Sequence, residues 1–131
     1  MKTVAQLCYG RLIAANPALP ATLYFENVDG ALPTGDHLIV NLMQVPGGVQ
    51  TIGKTAQRKA ILHVVAAIPR GNGQIKAIDL GQLVLNLFPK NLKLQANPLI
   101  SIDVAGVFGT GYNDGNWYKL PVKITINYIE T

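Results

Sequence analysis

From Trp117 to Glu130 the chain alternates. Tyr118, Leu120, Val122, Ile124, Ile126 and Tyr128 are apolar or aromatic, while Lys119, Pro121, Lys123, Thr125 and Asn127 are polar or turn-like. A period of two held over this length excludes a helix and predicts a long strand with one buried and one wet face. A second long strand is predicted from about Arg58 to Ile68. Its even face is Ala60, Leu62, Val64, Ala66 and Ile68, and Ile61, Val65 and Ala67 make the odd face apolar as well. A strand apolar on both sides belongs at the centre of a sheet or under cover on both faces. Residues 37–45 form another strand, closed by Pro46-Gly47-Gly48, and residues 99–105 alternate Ile100, Ile102 and Val104 against Ser101 and Asp103. Leu23 to Glu26 is a short extended piece within a proline- and glycine-rich stretch.

Two segments have helical spacing instead. Residues 2–15 place Val4, Leu7, Cys8 and Leu12 on one stripe, with Thr3 as a candidate cap and Asn16-Pro17 as the stop. Residues 74–87 carry Ile75, Ile78, Leu80, Leu83, Val84 and Leu87, running on to Phe88. These cover more than half the circumference, so this helix is expected to be well buried. Pro46 to Gln57 is long for a hairpin turn and is expected to be an extended, mobile arm. Gly106 to Asn116 is expected to be a glycine-rich loop, with a turn at Asn113-Asp114-Gly115-Asn116. The fold class that follows is α+β: a mostly antiparallel sheet packed by two helices, in the order α-β-β-β-α-β-β.

Length and composition narrow this further. At 131 residues the chain is expected to be a single domain, residues 1–131. Charged residues make up only 14%, against about 25% in an ordinary soluble domain, and mean hydropathy is +0.25. So little charge suggests that other subunits cover part of the surface. The net charge of +4 is mild, and its lysines and arginines are scattered, whereas dedicated nucleic-acid binders gather them on one face. One cysteine excludes an internal disulfide. With no signal-peptide pattern and no membrane-spanning run, a soluble protein made in a reducing cytoplasm is expected.

Catalytic chemistry finds few residues to use. Ser101 is the only serine, mid-strand and without a nucleophile elbow; His37 and His63 are the only histidines. Neither they nor Cys8 stand at metal-ligand spacing, and Asn113-Asp114-Gly115 lacks the further acids of a calcium loop. The strand-to-helix loop Pro69-Arg70-Gly71-Asn72-Gly73 occupies a phosphate-loop position but lacks a P-loop ending. No enzyme, cofactor or metal is expected.

The order of segments carries a resemblance. Thr51-Ile-Gly is followed by Gln57-Arg-Lys-Ala-Ile-Leu-His-Val-Val-Ala-Ala-Ile-Pro-Arg-Gly-Asn-Gly73 and a helix ending Leu87-Phe-Pro89. Far downstream comes Asp114-Gly-Asn-Trp-Tyr-Lys-Leu-Pro-Val-Lys-Ile124. This resembles the small tail terminator (tail completion) proteins of long-tailed bacteriophages, the lambda-type terminator and its relatives. Their opening helix precedes an asparagine-containing strand, here Tyr24 to Val28. Ala60, where relatives often carry glycine, and the glycine-rich Gly106–Asn116 stretch depart from the pattern.

The resemblance implies a structural protein of the virion that forms a ring, usually of six copies, at the head-proximal end of the tail. It would stop tube growth and present a surface to the head-tail connector, with DNA passing transiently through the lumen and no membrane involved. Its expected partners are further copies of itself, the tail tube protein and the connector protein. Lys54, Arg58 and Lys59, in and below the arm, are expected to touch a neighbour or the tube. Lys119, Lys123 and Asn127, on the wet face of the last strand, are expected to face the lumen. The competing readings are a head-tail connector or tube subunit, and a small non-enzymatic domain binding a ligand or nucleic acid through the Arg70 loop.

Overall fold

A computed structural model of the chain describes residues 2–15, 21–25, 35–45, 49–50, 56–71, 74–96 and 99–130. The elements run α1 (Lys2–Ala15), β1 (Thr22–Phe25), β2 (His37–Gln44), β3 (Val49–Gln50), β4 (Ala56–Pro69), α2 (Gln74–Leu87), β5 (Lys93–Ala96), β6 (Leu99–Ser101), β7 (Val107–Phe108), β8 (Tyr112–Asp114) and β9 (Trp117–Glu130). This is the expected α+β fold with two helices and a mostly antiparallel sheet.

The two alternating segments identified in the sequence are the axis of the sheet. β4 and β9, fourteen residues each, pair antiparallel along their whole length, from Ala56 opposite Glu130 to Pro69 opposite Trp117. The strand order is β1-β2-β4-β9-β6-β5. β1 lies parallel to β2 at one edge, and the other ladders are antiparallel. Along the second edge of β9, β8, β7 and β6 pair in succession with Trp117–Lys119, Val122–Lys123 and Asn127–Tyr128.

The period of two decides what lies under the helices. On the even face Ala60, Leu62, Val64, Ala66 and Ile68 of β4 are fully buried, as are Leu38 and Val40 of β2 and Val122, Ile124 and Ile126 of β9. α1 brings Val4, Cys8 and Leu12 to this core, and α2 brings Ala77, Leu80, Gly81 and Val84. Phe88, just past α2, is fully buried. The Arg11 guanidinium of α1 lies 5.9 Å from its ring centroid, and Arg11 Nε donates to the Leu87 carbonyl, which joins the two helices. Tyr9 and Phe25 rings, 4.9 Å apart, tie α1 to β1.

Several local expectations change. Thr3 lies inside α1 and does not cap it. The 99–105 segment is a strand only over Leu99–Ser101. Ile102 takes its backbone bonds to Leu92 and Asn91, at the turn after α2, and Val104 turns out to solvent. β5, and β7 and β8 within the glycine-rich stretch, are strands that weak alternation concealed. The β8–β9 hairpin turns at Gly115, whose φ of 59° suits the first central position of a II′ turn. Of the expected arm, Val49–Gln50 pairs with Ala56–Gln57, so its two ends form a ladder. Pro46–Gly48 and Thr51–Thr55, including Lys54, lie outside the described residues, as does Asn27. α2 is only half covered, for the sheet meets one side of it: Ile75 is 75% exposed and Ile78 42%.

Candidate functional site

The odd face of the same ladder carries polar side chains on a rigid frame and, among the described residues, receives no helix. Its lower end is closed by aromatic packing. His37 of β2 is buried, its Nδ1 donates to the Gly35 carbonyl at 2.9 Å, and the Trp117 ring stands edge-on to it at 4.8 Å. Val65, Ala67 and Pro121 are buried in the same region, so Pro121, read as part of a wet face, is covered. Beside it Asp36 on the approach to β2 pairs with Lys76 of α2 at 2.6 Å.

The upper end is open. Register sets Asn41, His63 and Lys123 in one row across β2, β4 and β9, then Met43, Ile61 and Thr125 in the next. Lys59 stands opposite Asn127. Met43, Lys59 and Lys123 are exposed, while Ile61, His63, Thr125 and Asn127 are half-buried. Val107 pairs with Lys123, and Tyr112 with Lys119, so their exposed side chains extend the open surface along the edge of β9.

Among the residues proposed from sequence, Lys59, Lys119, Lys123 and Asn127 therefore share one face. The two sites expected separately, a neighbour contact and a lumen wall, compete for the same surface. Arg58 is on the opposite face, across from Tyr128, whose hydroxyl accepts from Gln44 Nε2 at 3.2 Å. The polar groups of the shared face also differ in freedom. Lys119 Nζ sits 2.7 Å from the Asp114 carboxylate with its side chain only 18% exposed. Asn127 Nδ2 donates to Asp103 Oδ2 at 3.1 Å, and Ser101 Oγ donates to Asp103 Oδ1 at 3.1 Å. Lys59 and Lys123 remain as the exposed cations.

On the other side of the sheet, α2 meets the 105–108 segment across an open groove. Leu85, Phe88 and Phe108 line it, with Gln82, Asn86 and Lys90 at its rim. Glycine permits this approach: a Cβ on Gly81 would stand 2.5 Å from Phe108 Cε1, and one on Gly106 2.5 Å from Leu85 Cδ2. The Arg70 loop is occupied structurally. Arg70 N–H and guanidinium donate to the carbonyls of Asn116 and Gly115, pinning the end of β4 to the β8–β9 turn. Asn72 and Gly73 lie outside the described residues. Cys8 is sealed in the core, and burial raises its thiol pKa to about 12, so it is a packing residue rather than a nucleophile. Among the described residues no three His, Cys, Asp or Glu side chains gather as a metal set, and no helix is long and apolar enough to cross a membrane.

No curated protein matches the chain. A solved structure with 17% identity superposes with a TM-score of 0.76, covering 98% of this chain and 95% of its own; the likeness is one of fold. The family described as phage tail terminator protein matches residues 3–128, nearly the whole chain. With the α+β frame and the segment order already in place, that match is decisive: this chain belongs to the phage tail terminator family, structural proteins of the virion tail that associate with other tail components.

Proposed function

We propose that this protein, acting as one domain, caps the finished tail tube as a closed ring. The ring is of six copies, ends tube polymerisation, and offers its free side to the head connector at the head-proximal end of the tail. The observation that carries this reading is the family match over residues 3–128. Two properties of the chain support it. Its charge content of 14% suits a surface largely covered by other proteins. Its exposed apolar side chains occur on both sides of the sheet, as at Ile75 and Met43, and a head-to-tail ring needs two different surfaces on each copy. The protein catalyses no reaction in this reading. Its work is geometric: a tube end covered by a ring without a further tube-binding surface cannot add another layer. The base of the arm, with Lys54, Arg58 and Lys59, contributes to the contact with a neighbour or with the tube.

The test is assembly of tails in the absence of the protein, followed by its addition. Tails made without it are expected to overgrow and fail to join heads, and purified protein is expected to fix their length and restore joining. Tails of normal length without it would overturn the reading. A label found along the whole tube, instead of at the head-tail junction, would make the protein a tube subunit. In solution, a discrete species of six 14.1 kDa copies, about 85 kDa, is the expected ring.

A further inference from the structure

The central strand has two apolar faces, yet among the described residues helices cover only one of them. Sheets buried on both faces are covered by a layer on each side. Here the even face has α1 and α2, while on the odd face no described element forms a second layer over half-buried Ile61 or over exposed Met43, Val107, Lys59 and Lys123. α2 has the reciprocal deficit. Its inner side is in the core, but Ile75, Ile78 and Leu83 are exposed on its outward side. Asp79 lies among them at i+4 from Ile75 and is the only carboxylate on the helix; Lys76, its only cation, is paired with Asp36. One surface is an apolar stripe with an acid. The other is an apolar sheet face with two exposed cations. They lie on opposite sides of the sheet, so neither can cover the other within one copy.

We infer that the outward stripe of α2 in one copy, centred on Ile75, Ile78 and Asp79, packs on the open odd face of β4 and β9 in the next copy, over Ile61, Lys59 and Lys123. The contact is heterologous: each copy uses its helix on one side and its sheet on the other, so the chain of contacts runs in one direction and can close. It gives each sheet its missing layer and brings Asp79 toward the two lysines. The inference rests on the ring reading and deepens it by naming the interface. It also assigns the odd face to a neighbouring copy, which is the alternative to a lumen wall at Lys123 and Asn127.

A charge-swap pair tests it. One variant carries Ile75→Lys and Ile78→Lys on α2, and the other Lys59→Glu and Lys123→Glu on the sheet. All four positions are exposed, and thermal melts that match wild type at concentrations too low for assembly would verify that each variant is folded. Sedimentation over a concentration series is expected to show wild type assembling. Each variant alone should need roughly a hundredfold more protein to do so, the scale of like charges placed together across an interface. An equimolar mixture should recover the large species, because each altered helix then meets an oppositely altered sheet and each native helix a native sheet. Variants that assemble like wild type, or a mixture that stays monomeric, would overturn the inference. A sheet variant that assembles normally but impairs passage of DNA would overturn it in favour of the lumen wall. Wild type that stays monomeric at every concentration would overturn the contact, while the capping reading would still stand or fall on tail length.

Discussion

The two faces of the β4–β9 ladder share one backbone, fourteen residue pairs long, and differ only in what covers them. On the even face each strand brings a row of buried aliphatic side chains under two helices. On the odd face aliphatic residues are present too, at Ile61 and Val65, but among the described residues only the end beside His37 and Trp117 is closed. Apolar side chains on a strand therefore do not by themselves make a core: burial also requires another element with a matching face. What the odd face lacks, another copy is proposed to provide.

The largest effect expected from this contrast separates two isoleucines. Ile124, fully buried on the even face, should cost about 2–5 kcal/mol when changed to Ala, because a cavity remains in a packed core. Ile61, half-buried on the odd face, should cost only about 1 kcal/mol in the monomer. Urea unfolding of the two variants measures the difference, and equal losses would show that the odd face is already a core. A cost for Ile61→Ala that grows with protein concentration would place it in an interface between copies.

Cys8 sharpens the same comparison from the helical side. Burial moves its thiol from an ordinary 9.0 to about 12. Below pH 9 it is neutral folded or unfolded. Between pH 9 and about 12 the unfolded chain loses the proton and the folded chain keeps it, so stability should fall by about 1.4 kcal/mol per pH unit. Comparing wild type with Cys8→Ala over that range isolates this slope from other groups; parallel curves would mean that water reaches the thiol.

The third prediction concerns glycine. Gly106→Ala would put a Cβ 2.5 Å from Leu85 Cδ2, 3.0 Å from Ile124 Cγ1 and 3.2 Å from the Lys123 carbonyl, and should cost about 1–3 kcal/mol. Gly10 in α1 has nothing within 4 Å of such an atom, and its change to Ala should stabilise by about 0.5–1 kcal/mol. Thermal melts with opposite shifts are the expected outcome.

Much of this architecture was legible in the sequence. The alternation through Trp117–Glu130, the central character of residues 58–68 and the extents of both helices follow from side-chain period, since period is a local property of the backbone. The order of segments was enough to suggest the family. The short strands were not legible: β7 has two residues and β8 three, too few for alternation to show, and they exist because β9 offers them an edge. The candidate site was legible only as types of residue. That Lys59 and Asn127 stand opposite each other, that Lys119 is neutralised by Asp114 and that Arg58 points to the other face depend on pairing between strands distant in the chain.

The sequence by itself determined which faces of each element are apolar, the order α-β-β-β-α-β-β and the lack of surface charge, because these are read residue by residue. Only the tertiary structure decided which apolar faces are covered. The apolar residues of α2 span more than half its circumference and predict a well-buried helix, yet the sheet meets it on one side, and Ile75 and Ile78 remain outside. Coverage is a relation between two surfaces, fixed by register and packing, and a single segment carries information about only one of them.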